Sequence, residues 1–377
     1  MQYYSTSNRE EQSTLKEAVL KGLAPDRGLY MPASIPVLGR DNLEAFRTME
    51  LPEIAVAISR LLFGSDVPED ELTRLTEDAI NFDTPLVQVE EGLYALELFH
   101  GPTLAFKDVG ARFMARLLGY FTGELDEDIH VLVATSGDTG SAVANGFLGV
   151  EGTRVHVLYP SGGVTALQEK QFTTLGSNIT ALEVDGSFDD CQRLVKEAFM
   201  DEELRSRMKL TSANSINLAR FLPQAFYYFR AWAQLPPASK AFFSVPSGNY
   251  GNMTGGLVAR EMGLPVHTFL SVNNLNDVVA SYLLTGKFTP RPSVPTIANA
   301  MDVGDPSNFV RILDLFNGNY EWITEHLQGL RPFFRFHFLL QEGVHAKDVA
   351  IVEVNGRFWG KIRLGANGRY QPMHNPR

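Results

Sequence analysis

The stretch Glu97-Leu-Phe-His-Gly-Pro-Thr-Leu-Ala-Phe-Lys107-Asp-Val-Gly-Ala-Arg-Phe113 places one lysine between a short apolar run and the start of a predicted helix. Apolar residues at helical spacing, among them Val109, Phe113 and Leu117, indicate that helix. An amine in this position is partly removed from water, and desolvation favours the neutral form that attacks carbonyl groups. Lys107 is therefore a candidate catalytic residue, although a lysine whose stem packs while its ammonium group reaches water is the commoner case.

Short apolar stretches alternate with helical stretches along the chain after Thr84. The segments with strand character are Leu86–Val89, Leu93–Leu98, Ile129–Ala134, Val155–Tyr159, Ala241–Val245 and Val266–Val272. Such alternation predicts an α/β fold in which helices cover both faces of a parallel sheet. Ligands of these sheets bind beyond the carboxyl ends of the strands, so a site is expected in the loops that follow them.

A hydroxyl-rich turn follows the predicted strand that ends at Ala134. Its sequence is Thr135-Ser136-Gly137-Asp138-Thr139-Gly140-Ser141, and helical residues come next. A helix N-terminus with free N–H groups and hydroxyl donors binds carboxylate or phosphate groups. The same residues also fit an ordinary helix start that Asp138 or Ser141 caps, and the two interpretations are compatible.

A second turn, rich in glycine and asparagine, follows the predicted strand that ends at Val245. It reads Pro246-Ser247-Gly248-Asn249-Tyr250-Gly251-Asn252 and precedes a helix start at Met253. Glycine and asparagine tolerate positive φ, so the turn can present successive N–H groups to an anion. The spacing matches neither a dinucleotide-binding fingerprint nor a Walker loop. A tight strand-to-helix turn without a ligand is the alternative.

The composition is that of a globular protein and excludes several classes of function. The chain has 377 residues, 44% of them hydrophobic, and a net charge of −11, which argues against nucleic acid and anionic membranes as partners. Its single cysteine, Cys191, allows neither an intramolecular disulfide nor a cysteine-rich zinc site and is predicted to be buried on a helix. No metal site is expected. The polar N-terminus and the lack of a long apolar run predict a cytoplasmic protein without a membrane span.

The reactive lysine and the two turns together predict a cofactor. A lysine that forms a Schiff base, combined with a separate cradle for a phosphate group, is what pyridoxal 5'-phosphate requires. The glycine- and asparagine-rich turn is the candidate for the cradle. The hydroxyl-rich turn would then bind the substrate.

Seven short segments identify a family. In chain order they are Tyr3-Tyr-Ser-Thr6, Asp26-Arg-Gly-Leu29, His100-Gly-Pro-Thr-Leu-Ala-Phe-Lys-Asp108, Ala134-Thr-Ser-Gly-Asp-Thr-Gly140, Ser212-Ala-Asn-Ser-Ile-Asn217 with Arg220, Ser247-Gly-Asn-Tyr-Gly-Asn252 and Ala298-Asn-Ala-Met-Asp-Val-Gly-Asp-Pro-Ser-Asn308. With these segments, residues 1 to about 325 resemble the threonine synthases. These are fold-type II pyridoxal-phosphate enzymes, whose fold is like that of the tryptophan synthase β subunit.

The resemblance implies a reaction and a set of roles. The reaction is the conversion of O-phospho-L-homoserine and water to L-threonine and phosphate, the last step of threonine biosynthesis. Lys107 would hold the cofactor and move protons, and the cofactor phosphate would lie on Gly248, Asn249, Tyr250, Gly251 and Asn252. The substrate would bind to Thr135, Ser136, Gly137, Asp138 and Thr139, and the same pocket would include Asn214, Ser215 and Asn217.

The expected organisation has three parts. Residues 1–83 form a mostly helical N-terminal domain, with helices near Leu15–Leu23 and Leu51–Phe63, the first capped by Ser13. Residues 84–327 form the catalytic α/β core with two subdomains, the smaller at about 110–225. Residues 328–377 form an atypical tail.

The tail departs from the family pattern. Residues 329–377 hold eight lysines and arginines against three acidic residues, whereas the chain as a whole is acidic. The family's Asp-Pro-His-Gly segment and the residue that partners the pyridine nitrogen are not found. We interpret the tail as a shifted or mis-joined reading frame; the rival is a divergent tail with a strand pair at Val349–Val354 and Arg357–Ile362.

Three hypotheses about function follow. The first is an active threonine synthase that works on a small molecule as a monomer or homodimer. The second is a related protein that binds the cofactor but is catalytically impaired, since the expected C-terminal residues would be missing. The third is another fold-type II lyase, such as a threonine or serine dehydratase, and the Ala-Met-Asp-Val segment at Ala300–Val303 argues against it.

Overall fold

The computed structural model describes residues 1–123, 125–296 and 298–327, together with the backbone of residues 350–354, 357–364 and 370–373. The chain divides into two compact units. The first consists of Met1–Pro85, Glu97–Leu235 and Thr254–Leu264. The second consists of Leu86–Leu96, Pro236–Met253 and the described residues after Leu264.

Helices and strands alternate over most of the described chain. The helices are α1 Leu15–Lys21, α2 Arg40–Ala45, α3 Leu51–Phe63, α4 Glu69–Ala79, α5 Asp108–Thr122, α6 Asp138–Phe147, α7 Ala166–Thr173, α8 Phe188–Met200, α9 Glu202–Arg207, α10 Leu218–Phe221, α11 Ala225–Gln234, α12 Gly251–Glu261, α13 Val278–Thr285, α14 Phe309–Leu315 and α15 Tyr320–Leu327. The strands are β1 Tyr3–Ser5, β2 Asn8–Ser13, β3 Tyr30–Pro32, β4 Leu86–Glu90, β5 Leu93–Leu96, β6 Ile129–Ala134, β7 Thr153–Pro160, β8 Ile179–Val184, β9 Lys209–Ser212, β10 Ala241–Pro246, β11 Val266–Val272, β12 Ala350–Val354, β13 Arg357–Leu364 and β14 Tyr370–Met373.

The N-terminal region contains the predicted helices and a small sheet that was not predicted. Strands β2, β1 and β3 form an antiparallel sheet in that order. Helix α1 begins where expected, but Ser13 ends β2, so the cap is Thr14, which forms a capping box with Glu17. Helix α3 carries the predicted proline in its first turn.

A parallel sheet forms the centre of the first unit, as predicted. Its strand order is β8-β7-β6-β9, and all three neighbouring pairs are parallel. On one face, Leu132 and Ala134 pack with Cys191 and Val195 of α8. On the other, alternate residues such as Val133 are fully buried and α6 contacts both β6 and β7. Cys191 is thus a core residue, as predicted, and α6 starts at the carboxyl end of β6.

The second unit contains a two-stranded parallel sheet and, separately, the described strands of the tail. Strands β10 and β11 pair in parallel, and β4 pairs with β5 in antiparallel fashion. The tail strands β12 and β13 pair in antiparallel fashion, which confirms the strand pair expected there, and β14 extends that sheet. The origin of the tail and the domain boundaries at residues 83 and 327 stay predictions. In the part of the chain that the structure describes, no helix combines the length and apolarity needed to span a bilayer.

Candidate active site

The loop before Lys107 is fixed to the first turn of α5, and Lys107 is the residue that precedes this helix. The backbone N–H of Thr103 donates to the Asp108 carboxylate at 2.9 Å, and the Thr103 hydroxyl donates to it at 2.5 Å. A Cβ at Gly101 would lie 2.5 Å from Asp108 Oδ2, so only glycine fits there. The lysine is therefore held at a defined place on a rigid helix start.

The surroundings of Lys107 favour its neutral amine. Its side chain is half-buried, and Nζ lies 5.6 Å from the centre of the Phe106 ring without a hydrogen-bond partner in the described part of the chain. Desolvation lowers the pKa of Lys107, and the nearby Arg220 guanidinium lowers it further, while Asp138 opposes the shift. The sequence-based prediction of a partly desolvated lysine is confirmed.

Arg220 brings a buried positive charge next to the lysine. Its side chain is 3% exposed; Nε donates to the Ala213 carbonyl at 2.8 Å, and a terminal nitrogen donates to the Lys107 carbonyl at 3.1 Å. Neither contact is to a carboxylate, and no described carboxylate forms an ion pair with Arg220. Burial lowers the pKa of Arg220 to about 10, so the group is still mainly cationic at neutral pH. Such a charge favours an anion close to Lys107.

From the sequence, Arg220 was identified only as part of a segment shared with the threonine synthases, and no role was predicted for it. An arginine inside the apolar run Leu218–Phe221 is the signal that could have identified it, because an arginine is buried only where something compensates its charge.

The start of α6 is capped by Thr135, so the expected cap at Asp138 or Ser141 is wrong. Thr135 Oγ1 accepts from the N–H groups of Gly137 and Gly140 at 2.9 and 2.7 Å. Gly137 has a φ of +134°, which turns the chain back toward this buried hydroxyl. Asp138 instead accepts from Gln168 Nε2 at 2.6 Å.

The predicted substrate turn separates into buried and reachable residues. Thr135 and Gly137 are buried, and a Cβ at Gly137 would lie 2.5 Å from the Gln168 side chain. Ser136, Asp138 and Thr139 are partly exposed. Within the described residues, the hydroxyl groups of Ser136 and Thr139 have no hydrogen-bond partner, so these two are the donors that a ligand could meet.

The segment after β9 is tied to the end of β6. Asn214 Oδ1 accepts from the Ala134 N–H at 3.3 Å, and its Nδ2 donates to the Ala134 carbonyl at 3.0 Å. Ser215 is partly exposed beside it. Asn217 is fully buried: it caps α10 and donates to the Val19 carbonyl at 2.9 Å. The geometry thus gives Asn214 and Asn217 structural contacts with the backbone.

The glycine- and asparagine-rich turn belongs to the second unit and is shaped by its own side chains. Asn249 Oδ1 accepts from Ser307, and Asn252 Nδ2 donates to the Pro246 carbonyl at 2.6 Å. Tyr250, at a φ of +63°, places its hydroxyl 2.6 Å from Ser271 Oγ and 2.8 Å from Asn273 Oδ1.

This turn has the features of a phosphate cradle. A Cβ at Gly248 would lie 2.8 Å from Met301 Cα, so the backbone passes too closely for any side chain. Helix α12 begins at Gly251, and the first N–H groups of a helix have no partner within it. Of the first N–H groups of α12, that of Met253 donates to Asn252 Oδ1 at 2.9 Å. In the described part of the chain, no cluster of three or more metal-binding side chains is present.

Comparison with known proteins agrees with these features. The family model described as "Threonine synthase N terminus" matches residues 2–80, and the one described as "Pyridoxal-phosphate dependent enzyme" matches residues 79–325. The chain is 47% identical over 332 residues to threonine synthase from Haemophilus influenzae, a match that covers 88% of this chain and 77% of that protein.

Solved structures give the same result. The crystal structure of threonine synthase from Escherichia coli matches with a TM-score of 0.82 and 42% identity, over 87% of this chain and 76% of that one. The structure of pyridoxal-phosphate-bound threonine synthase from Brucella melitensis matches with a TM-score of 0.79 and 37% identity, over 88% of this chain and 73% of that one. The chain is thus a member of the threonine synthase family, within the fold-type II enzymes that depend on pyridoxal phosphate.

Proposed function

We propose that this chain converts O-phospho-L-homoserine and water to L-threonine and phosphate, as a lyase that acts on the carbon–oxygen bond to phosphate. The observation that carries the proposal is the placement of Lys107, a half-buried amine with a lowered pKa, beside the cationic Arg220 and the start of α6. This arrangement joins a reactive amine with groups that attract anions, and the substrate carries both a carboxylate and a phosphate.

The residues present fit pyridoxal phosphate. Lys107 would hold the cofactor through Nζ, and the backbone between Gly248 and Asn252, where no Cβ fits at Gly248, would hold its phosphate. When bound, the cofactor supplies an electron sink that stabilises negative charge next to the substrate amine.

Lys107 is also the group that we assign to proton transfer. Its neutral Nζ can take a proton from the substrate Cα and return it later in the reaction. Desolvation and Arg220 lower the pKa of Lys107 and Asp138 opposes the shift, so the neutral amine that accepts a proton is easier to form than in a solvated lysine.

The substrate would be oriented by the start of α6 and by Arg220. The hydroxyl groups of Ser136 and Thr139 provide donors for the carboxylate, and the positive end of the α6 dipole favours its negative charge. We assign Thr135, Asn214 and Asn217 to holding this turn and its neighbours in place, because their side chains bond to the backbone. Gly137 acts with them through its positive φ and its N–H, which donates to Thr135 Oγ1. Arg220 supplies a fixed positive charge for the anionic substrate.

The experiment is phosphate release from O-phospho-L-homoserine by the purified chain, with Lys107→Ala as the control. We expect release that depends on Lys107, with pyridoxal phosphate bound as seen by its absorption. Soluble protein that binds the cofactor without releasing phosphate would contradict the proposal and support the catalytically impaired alternative. Turnover of threonine or serine instead would support a dehydratase. Oligomeric state, monomer or homodimer, stays a prediction that sedimentation would test.

A further inference from the structure

Asp302 follows the short 3₁₀ turn Asn299–Met301 in the second unit, and its carboxylate accepts hydrogen bonds from the loop after β11 and from Thr296. Oδ1 accepts from Asn274 Nδ2 at 2.7 Å and from Asn276 Nδ2 at 3.1 Å. The Thr296 hydroxyl donates to Oδ1 at 2.6 Å, and the Thr296 N–H donates to Oδ2 at 2.7 Å. Hydrogen bonds to a charged acceptor are the stronger kind, so this half-buried carboxylate fixes the segment that carries it.

The residue before Asp302 packs on the glycine- and asparagine-rich turn. A Cβ at Gly248 would lie 2.8 Å from Met301 Cα and 3.0 Å from the Met301 carbonyl oxygen. The backbone of Met301 therefore forms one wall of the turn. Because Met301 and Asp302 are joined by a peptide bond, a shift of Asp302 would move this wall.

The loop that Asp302 binds also holds the turn. Asn273 is the chain neighbour of Asn274, and its Nδ2 donates to the Ser247 carbonyl at 2.9 Å. Asn273 Oδ1 accepts from the Tyr250 hydroxyl at 2.8 Å. Asp302 is thus connected to the turn in two ways, along its own segment and through the loop after β11.

A second aspartate of the same segment lacks these contacts. Asp305 is exposed, and among the described residues its carboxylate makes no hydrogen bond or ion pair. The two residues have the same charge and differ in what their side chains hold, which makes Asp305 a matched control.

We propose that Asp302 is a positioning residue for the cofactor phosphate. By holding Met301 on one side and the loop with Asn273 on the other, it keeps the backbone from Gly248 to Asn252 in the shape that receives the phosphate. The inference rests on the proposed function, which places the phosphate at this turn, and it assigns Asp302 no contact with the cofactor itself.

The test compares pyridoxal 5'-phosphate with pyridoxal, which carries the same aldehyde but no phosphate group. The full chain is freed of cofactor and titrated with each compound, and the absorption of the bound form gives Kd. We expect Asp302→Ala to weaken binding of pyridoxal 5'-phosphate by about tenfold or more and binding of pyridoxal by less than about twofold. Asp302→Asn keeps one oxygen acceptor and should show a smaller loss of the same kind. Asp305→Ala should bind both compounds as the wild type does.

Two results with Asp302→Ala would overturn the proposal. Equal weakening for both compounds would mean that the effect does not depend on the phosphate, and wild-type affinity for both would mean that Asp302 does not shape the turn. Circular dichroism checks that each variant is folded. If Asp302→Ala does not fold, Asp302→Asn carries the same comparison, and the same two results would overturn the proposal.

Gly248→Ala separates the role of Asp302 from the placement of the phosphate. Wild-type affinity of Gly248→Ala for pyridoxal 5'-phosphate would mean that the phosphate does not lie at this turn, which would overturn both the placement and the role of Asp302. Weak binding by Gly248→Ala together with wild-type binding by Asp302→Ala would overturn the role of Asp302 alone.

Discussion

Arg220 and Thr135 illustrate, at the scale of single residues, that the chemistry of the site depends on side chains whose partners are backbone groups. Arg220 is anchored by two carbonyls, which orient its charge without neutralising it. Thr135 uses one oxygen to accept from two N–H groups, which fixes the turn that precedes α6. Both residues are buried, so substitution acts through lost hydrogen bonds rather than through lost surface charge.

Replacing Arg220 tests its electrostatic role. We expect Arg220→Lys to lower kcat/KM for O-phospho-L-homoserine by roughly tenfold to a hundredfold, because an ammonium group cannot make the same pair of carbonyl contacts and a charged hydrogen bond contributes about 1.5–3 kcal/mol. Steady-state phosphate release measures this. Arg193→Lys, at an exposed arginine of α8, is the control and should leave kcat/KM unchanged. If Arg220→Lys had the kcat/KM of the wild type, the proposed role of Arg220 in substrate binding would be wrong.

Replacing Thr135 tests the cap. Thr135→Val removes the acceptor of two backbone N–H groups and should lower the free energy of unfolding by about 1–3 kcal/mol. Thr135→Ser keeps the oxygen and should recover most of that loss. Urea denaturation followed by circular dichroism distinguishes them, and equal stability of the serine and valine variants would show that the hydroxyl contributes nothing.

At the scale of elements, one arginine joins three segments of the first unit. Arg230 of α11 is 7% exposed; it contacts Asp83 in bidentate fashion at 2.9 and 2.7 Å and donates to the Met49 carbonyl at 2.8 Å. It also forms an ion pair with Glu50, which caps α3. Burial opposes ionisation of Asp83, yet the hydrogen bonds that Arg230 donates lower the pKa of Asp83 overall.

We expect Arg230→Met to lower the free energy of unfolding by about 1–3 kcal/mol. This is less than the ~3–5 kcal/mol for a fully buried pair, because both carboxylates are partly exposed. Arg230→Lys should recover little of the lost free energy of unfolding, since an ammonium group cannot make the bidentate contact with Asp83. Arg193→Met, which removes exposed ion pairs only, should lower the free energy of unfolding much less than Arg230→Met does. Similar losses in the two methionine variants would contradict this account.

Two histidines lie side by side on neighbouring strands of the central sheet, and we expect them to make its stability sensitive to acid. His130 Nδ1 lies 3.0 Å from His156 Nε2, and the rings are stacked. Desolvation lowers the pKa of both histidines, and the positive charge of Arg154 lowers it further. A charge on one histidine also disfavours a charge on the other. Asp128 opposes the shift, but only at His130. The unfolded chain binds protons below the ordinary histidine pKa of about 6.5, whereas the folded chain resists them. Stability should therefore fall as the pH drops below about 6.5.

The double variant His130→Gln/His156→Gln should show a shallower loss of stability between about pH 6.5 and 5 than the wild type does. Urea denaturation at a series of pH values measures the difference. His267→Gln, an exposed histidine of β11, is the control and should keep the wild-type slope. An unchanged slope in the double variant would assign the acid sensitivity to other groups.

For the whole molecule, binding of pyridoxal phosphate at the site should increase the stability of the folded state. A ligand that binds only the folded state stabilises it by RT ln(1 + [L]/Kd). Added pyridoxal phosphate should therefore raise the Tm of the wild-type chain by several degrees, and raise it less in Lys107→Ala. Differential scanning fluorimetry measures both. Equal shifts in the two proteins would mean that Lys107 does not hold the cofactor.

The sequence predicted those parts of the fold that carry a strong local signal. The bounds of Ile129–Ala134 and Val266–Val272 agree with β6 and β11, since each is a run of apolar and β-branched residues. Strand β8 was missed because it lies at the edge of the sheet and is mostly exposed, which weakens its apolar pattern. The polar β2 was missed for a similar reason.

The site shows the same division between local and distant signals. The position of Lys107 before a helix was visible in the sequence, because the apolar spacing of α5 begins directly after it. The structural role of Asn217 could not be predicted from the sequence, because its hydrogen-bond partner Val19 is 198 residues away in the chain. The cap of α6 was assigned to the wrong residue because the left-handed φ of Gly137 cannot be read from composition.

The hydrogen bonds around Tyr250 have a consequence for how an anion is received. The Tyr250 hydroxyl, Ser271 and Asn273 form one network, and Asn273 Nδ2 also donates to the Ser247 carbonyl at 2.9 Å. The turn thus loses its conformational freedom when the chain folds, not when an anion arrives. The turn is therefore a preorganised site for a phosphate group. The rate of phosphate association should be limited by diffusion and desolvation rather than by loop rearrangement.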